Sequence, residues 1–391
     1  MNEPCKHAGQ PADQSKEVTV VGAGPAGLAC AIALARAGRR AVVREWRKTI
    51  GARFHGDLQG LENWSDETDV LKELESSGIV PSFDAHPVYN GVAFDAWGAR
   101  YEVGSGKPLY YLVHRGPEAG SLDRGLLDCA QKAGVEVRFN DRVNAIDGPA
   151  VLGVGPRVAD AIAAGYVFET DMPDGNWLCL DDSLAPDGYS YLLVHDGRGT
   201  VASCMFKGFK RQADYVERTI AMFRDRAGLV MRKPRSFGGF ANFRLPRTGV
   251  QGGHPVIGEQ AGFQDALAGF GMRYAIRSGV LAAQSLIEGV DYTGLWRKEL
   301  LPRLRTSVSN RFLFNVIGDR GRSWVLSHIL SGKDTRAQLQ RSYRPSLPTR
   351  LLFPLARLCY RKNLSDKTCD HVNCSCVWCR CGGGGSRLQF T

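Results

Sequence analysis

No run of apolar residues in this 391-residue chain reaches the ~18 needed for a helix to cross a bilayer, so a helical membrane span is excluded. Met1–Lys16 is polar and lacks the apolar centre of an export signal, which leads us to expect a cytoplasmic protein with a disordered N-terminus over 1–16. No nucleic-acid-binding motif is present, and nucleic acid is not an expected partner. The eleven cysteines do not make the evenly spread framework of a secreted disulfide protein. Five crowd between Cys369 and Cys381, and the other six are scattered, mostly in apolar surroundings such as Leu28-Ala-Cys30. A hydrophobic content of 43% is enough for a sizeable core, or for two packed lobes.

Acidic residues are scarce in one region only. Trp296–Lys362 has fifteen Lys and Arg against three acids, Glu299, Asp319 and Asp334, so it carries the whole net charge of +10. Within it, Arg350-Leu-Leu-Phe-Pro-Leu-Ala-Arg-Leu-Cys-Tyr-Arg-Lys362 sets large apolar side chains among cations. That mixture suits an anionic lipid surface, so the protein is expected to be cytoplasmic and at most peripheral at the membrane.

The strongest positive signal lies near the start. Val18-Thr-Val-Val-Gly22-Ala23-Gly24-Pro-Ala26-Gly27 runs into a helical stretch to Ala37, then Ala41-Val-Val-Arg-Glu45. It reads as strand, glycine turn, helix, second strand and acid. Gly22 permits the tight turn, Gly24 leaves room for a pyrophosphate, and Gly27 lets the helix approach the strand. The helix N-terminus offers unpaired N–H groups and a positive dipole end to the phosphates. Glu45, 23 residues after Gly22, can accept both hydroxyls of an adenosine ribose. A second fingerprint of this kind is missing, so a separate nicotinamide domain is not expected.

Downstream, Ile50–Gly60 is a glycine-punctuated loop containing Arg53, His55, Gly56 and Asp57. A strand-rich excursion follows at 85–115. Ser121–Gly134 is an amphipathic helix stopped by its glycine. Tyr166–Phe206 alternates strand runs with Pro-Asp-Gly and Asp-Gly-Arg-Gly turns, the pattern of an antiparallel sheet. Pro255–Phe263, with Gly258, Glu259 and Gly262, and then Gly269-Phe-Gly271-Met272 return the chain to the nucleotide site.

This order resembles the p-hydroxybenzoate hydroxylase-type flavoprotein superfamily, and within it the FAD-dependent geranylgeranyl reductase family. The resemblance covers roughly residues 17–320. It rests on Gly22–Glu45, the Ile50–Asp57 loop, Asp123-Arg124, and Val256-Ile-Gly258-Glu259-Gln-Ala-Gly262 with Gly269–Gly271. It implies an α/β fold, with a Rossmann-like FAD-binding domain, an inserted antiparallel substrate sheet and a helical C-terminal region. The segments are then 17–165 and 246–295 for FAD, 166–245 for substrate, 296–362 basic and helical, and 363–391 a Cys-rich tail. FAD is expected at Gly22, Ala23, Gly24, Ala26, Gly27, Glu45, Gly56, Asp57, Arg124, Gly258, Glu259, Gly262, Gly271 and Met272. Two departures stand out. Glu259 takes the place of the family's Asp, and His55-Gly56-Asp57 replaces its Cys-Gly-Glu-Gly. The implied reaction is reduction of an isoprenoid double bond in a prenyl lipid, with His55 as the candidate acid. NAD(P)H, ferredoxin or another redox partner protein would supply electrons. The alternatives are an aromatic monooxygenase and a metal-binding electron-transfer or interaction flavoprotein.

The tail, Cys369-Asp-His371-Val-Asn-Cys374-Ser-Cys376-Val-Trp-Cys379-Arg-Cys381, is dense in soft ligands. Thiolates one and two residues apart converge readily on a tetrahedral ion. Zinc is expected before an iron–sulfur cluster, because the spacing fits no ferredoxin pattern.

Overall fold

Val18–Val21 is β-branched throughout, and in the computed structural model it is an inner strand of a four-stranded parallel sheet. The structure describes residues 17–156, 158–243, 245–332, 334–363, 366, 369–370 and 372–381. Ala41–Arg44 pairs on one side of the first strand and Ala150–Leu152 on the other, with Glu136–Arg138 at the edge beyond Ala41–Arg44. The helix Pro25–Arg36 begins with proline at its first position and buries eight residues, from Ala26 to Leu34. It crosses the helix Met272–Glu288 so closely that a Cβ on Gly279 would stand 2.1 Å from the Ala26 carbonyl oxygen. Only glycine fits there.

The second layer is a seven-stranded sheet in the order Arg232–Ala241, Ala161–Glu169, Arg198–Met205, Tyr189–His195, Gly175–Leu180, Asn90–Asp95 and Arg100–Gly104. It is antiparallel except where Gly175–Leu180 meets Asn90–Asp95. The expected antiparallel sheet is therefore present. It also takes in Arg232–Ala241, whose Arg-Lys-Pro-Arg-Ser start and paired glycines lack strand alternation. One face packs on the helix Gln212–Ala227, through Val216, Ile220 and Phe223 against Phe94, Leu192 and Val201. Thr219 fills the polar gap, its hydroxyl 2.9 Å from Ser190 Oγ and 2.7 Å from Ser203 Oγ. A smaller antiparallel sheet, Leu58–Glu62, Tyr110–His114 and His86–Val88, joins the two layers.

The C-terminal part is helical, as expected. Leu301–Val325 is broken at Gly318 (φ 57°, ψ −169°), and a turn of π-helix, Leu326–Leu330, continues it. Thr335–Tyr343 and Leu347–Asn363 follow. Among the described residues no helix is long and apolar enough to cross a membrane.

An ion cluster ties these parts together. Arg277 Nη2 donates to Asp66 Oδ2 (2.8 Å), Arg303 Nη2 to the same oxygen (2.6 Å), and Arg273 Nη2 to Glu73 Oε2 (2.6 Å). Burial pushes the Asp66 pKa up, but Arg277 and Arg303 outweigh it and hold the carboxyl well below its usual range. Asp66→Asn is expected to cost about 1–3 kcal/mol at pH 7, because it leaves two half-buried guanidinium groups short of a partner. A carboxyl with a lowered folded-state pKa stabilises fully above its unfolded value, about 3.9, and loses that contribution as pH falls through the folded value. The Tm gap between wild type and variant should therefore close below about pH 4. A gap that stays constant into acid would refute this.

Candidate functional site

The glycine turn is built by backbone contact. Gly22 has φ +104°, and a Cβ there would lie 2.3 Å from the Gly153 carbonyl oxygen. A Cβ on Gly27 would lie 2.0 Å from the Gly22 carbonyl oxygen. Gly24 differs, since nothing stands within 4 Å of its would-be Cβ. That space belongs to a continuous cavity of about 2310 Å³. The helix N-terminus opens into the cavity with Gly24 as its cap and no side-chain capping bond, so its first N–H groups are available to an anion.

Glu45 sits at the end of the second strand on the cavity wall. Its Oε2 accepts from Ala23 N–H and its Oε1 from Arg47 N–H, both at 2.9 Å. These bonds fix the carboxylate while each oxygen keeps a further lone pair for a hydroxyl. Glu259 lines the same cavity, and Arg53 Nη2 lies 3.2 Å from its Oε2. Burial raises the Glu259 pKa against the pull of Arg53.

Around this cavity the structure gathers Gly22, Ala23, Gly24, Ala26, Glu45, His55, Asp57, Glu259, Gly271 and Met272. Gly27, Gly56, Gly258 and Gly262 shape the backbone behind it. Gly56 N–H donates to the Arg115 carbonyl (2.9 Å), and Gly258 N–H to Ser278 Oγ (2.8 Å). The ring of His55 is exposed at the rim.

Arg124 is a correction. It points away from the cavity and pairs with Asp128, Nε to Oδ1 at 2.9 Å, with nearly half its side chain exposed. The buried face of its helix is Leu122, Asp123, Leu126, Leu127 and Ala130, and position 124 lies off it. Asp123 is the residue turned inward. It accepts from Arg115 Nε and Nη2, both at 2.8 Å, and from Gly116 N–H at 3.0 Å. Burial works against the Arg115 charge, but Asp123 outweighs it and raises the guanidinium pKa. Arg115 also covers the Phe54 ring at 3.9 Å, so one buried pair holds the whole 54–59 loop in place. The same helical periodicity that identified the element, at about 100° per residue, could have turned Asp123 inward and Arg124 off the buried face.

Beyond the nucleotide cleft the cavity widens into an apolar chamber. Tyr189, Tyr191 and Leu193 project from one strand, and Leu313, Phe314 and Ile317 from the long helix opposite. Leu326, Ile329 and Leu330 of the π turn also line it. Leu313 and Ile317 are also exposed, so the mouth has an apolar rim. Polar groups enter the wall as well, among them Asn310, Arg322, Thr335 and Gln338. Tyr110 Oη donates to Asn176 Oδ1 (2.9 Å), and Tyr189 Oη to the Ala268 carbonyl (2.5 Å). Cys204 adjoins Tyr189, and burial pushes its thiol up to about 12 although the Tyr189 hydrogen bond opposes this. Its strand alternates like any other, and nothing in the sequence distinguishes this cysteine from a core residue.

In the tail, Cys374, Cys376 and Cys379 come together, with their sulfurs within 4.8 Å of one another. Cys369 Sγ lies 3.7 Å from Cys374 Sγ. His371 and the side chain of Cys381 lie outside the described residues.

The two glycines of the turn should respond differently to substitution. Gly27→Val forces side-chain atoms into backbone and is expected to cost several kcal/mol or abolish folding. Gly24→Val should keep a near wild-type Tm and lose dinucleotide binding, because its side chain enters the cavity. Thermal melts with and without added dinucleotide distinguish the two, and a Gly24→Val protein that still binds would refute the assignment.

Residues 20–58 match the family described as an NAD(P)-binding Rossmann-like domain. No curated protein matches the chain in sequence. Among solved structures, a geranylgeranyl bacteriochlorophyll reductase-like protein from Thermoplasma acidophilum superposes with a TM-score of 0.67 at 18% identity, covering 87% of this chain and 98% of that one. The flavin-dependent brominase Bmp2 gives 0.64 at 15%, covering 89% and 100%. A 2-methyl-3-hydroxypyridine-5-carboxylic acid oxygenase variant gives 0.53 at 14%, covering 83% and 96%. Residues 20–58 thus resemble an NAD(P)-binding Rossmann-like domain, and the chain shares the fold of these flavoprotein structures.

Proposed function

We propose that this protein is an FAD-dependent oxidoreductase that reduces isoprenoid double bonds of a prenyl lipid. The observation that carries the reading is a single cavity running from the Gly22–Gly27 turn into a long apolar chamber. The protein groups suit the cofactor. The open cradle at Gly24 and the helix N-terminus fit a pyrophosphate, Glu45 an adenosine ribose, and Glu259 with Gly271–Met272 the flavin half. When bound, FAD supplies hydride chemistry, with NAD(P)H or a ferredoxin-type protein as the electron donor. The chain's own residues exclude water and orient the lipid. Burial holds the thiol of Cys204 protonated at neutral pH and makes it a weak acid, so its Sγ would pass a proton only to a strongly basic, carbanion-like carbon inside the chamber. His55, exposed at the rim, would serve through solvent rather than by contact.

A lipid substrate has to leave a membrane, and the helix Leu347–Asn363 suits that task. Leu347, Leu351, Leu355 and Leu358 are exposed at 72%, 80%, 52% and 60%, spaced along one side of the helix. Arg350 and Arg357 flank them, and Phe353 and Ala356 face inward. Exposed leucines between cations fit the boundary of an anionic bilayer.

The purified protein is expected to release FAD, not FMN. After anaerobic reduction, a geranylgeranyl lipid should reoxidise the flavin, and Cys204→Ala should slow that step about 100-fold or more while FAD stays bound. Reoxidation only by oxygen together with an aromatic substrate would replace this reading with a monooxygenase. In cosedimentation, anionic vesicles should bind the protein and neutral ones should not. Leu351→Glu with Leu355→Glu should remove the binding, and salt should weaken it. Equal binding to both vesicle types would end the membrane proposal.

A further inference from the structure

The cysteine-rich tail is folded against the substrate side of the molecule. Val377 packs on the edge strand at Gly238, where a Cβ would stand 2.3 Å from Val377 Cγ2. Trp378 meets the Phe240 ring edge-on at 5.0 Å. Gln212, at the start of its helix, holds the segment by two bonds. Its Oε1 accepts from Val377 N–H (2.8 Å), and its Nε2 donates to the Ser375 carbonyl (3.5 Å). Phe209 N–H donates to Asp366 Oδ2 (2.8 Å). Val377, Trp378 and Arg380 then form part of the cavity wall.

Within this docked segment the sulfurs of Cys374, Cys376 and Cys379 converge, and that of Cys369 approaches Cys374. Zinc bonded to four thiolates at about 2.3 Å requires sulfurs about 3.8 Å apart, by tetrahedral geometry. The Cys369–Cys374 pair stands at 3.7 Å, and Cys374, Cys376 and Cys379 lie within 4.8 Å of one another. In an iron–sulfur cluster the four thiolates are shared among two or four irons, so as a set they stand wider apart than around one ion. Cys369 and Cys376 are buried, which shields the site. Cys376 N–H points at Cys374 Sγ (3.5 Å), a donor that stabilises a thiolate. The ammonium of Lys210, 3.2 Å from Asp370 Oδ1 and 3.4 Å from the Val372 carbonyl, places a cation beside what would be a doubly negative centre.

We propose that Cys369, Cys374, Cys376 and Cys379 bind one zinc ion, which fastens the chamber-lining segment 377–380 to the edge of the seven-stranded sheet. The ligands come from a stretch of eleven residues whose apolar docking is concentrated at Val377 and Trp378, so metal binding supplies the order that a larger core would otherwise give. Each thiol loses its proton on binding, and affinity falls as pH is lowered. The site is separate from the nucleotide cleft, and its loss need not release the cofactor.

Protein purified under reducing, chelator-free conditions should contain one zinc per chain by elemental analysis. Cys374→Ser and Cys379→Ser should each reduce this at least tenfold, while Cys129→Ser, in the helix of the nucleotide-binding domain, keeps it. Cobalt in place of zinc should give the intense visible bands of tetrahedral thiolate coordination. The chelator-treated chain should be cut by trypsin in its C-terminal segment at least tenfold faster than the zinc-loaded chain. Flavin content and far-UV circular dichroism identify any variant that has failed to fold, and the cobalt spectrum of the wild-type protein then decides. Wild-type protein that takes up neither zinc nor cobalt, zinc retained in both cysteine variants, or iron with a broad visible absorption would overturn the proposal.

Discussion

The structure depends on backbone packed directly against backbone. Gly27 lies over Gly22, Gly22 beside Gly153, and Gly279 against Ala26. At each contact a single methyl group would fall within 2.3 Å of a carbonyl oxygen. Because these approaches are so close, the helix Pro25–Arg36 sinks between the parallel sheet and the helix Met272–Glu288, and its N-terminus stops at the floor of the cavity. Dipole, turn and cleft are set by this one arrangement. Hydrophobic burial of Leu28, Ile32 and Leu34 stabilises it, but the burial would tolerate other shapes. The glycines would not.

That constraint explains how much could be read from the chain. Glycine spacing, β-branched runs and turn tripeptides are local signals, and they gave the parallel sheet, most of the antiparallel sheet and the wall of the cleft. Arg232–Ala241 escaped because an edge strand exposed along its first half needs no alternation. Arg124 was misplaced by motif resemblance, whereas its helical face is decided by burial of Leu122 and Leu126 around Asp123. Cys204 could not be identified, because facing a chamber rather than a core depends on what lies across from the sheet. The convergence of Cys369 with Cys374 is likewise a property of the folded tail, since a gap of five residues in sequence specifies no distance.

The two ends of the cavity are held by different physics. Around the nucleotide cleft, charges are paired: Arg115 with Asp123, fully buried, and the exposed Arg53 with Glu259. Such pairs fix geometry more than they add stability. The chamber is held by apolar contact among helices that are themselves interrupted, at Gly318 and at the π turn. Interrupted helices lose backbone bonds locally, and interruptions of this kind gather at functional sites.

On the strand Tyr189–His195, Tyr189, Tyr191 and Leu193 meet the chamber, and Ser190, Leu192 and Val194 the side of the helix Gln212–Ala227. Contour and cohesion thus reside on opposite sides of one ribbon. Exchange of Tyr189, Tyr191 or Leu193 reshapes the chamber and leaves Ser190, Leu192 and Val194 in their places. A lineage could therefore move between substrates by small steps without first weakening the scaffold. The cofactor cleft, where the glycines stand backbone to backbone, allows no comparable drift.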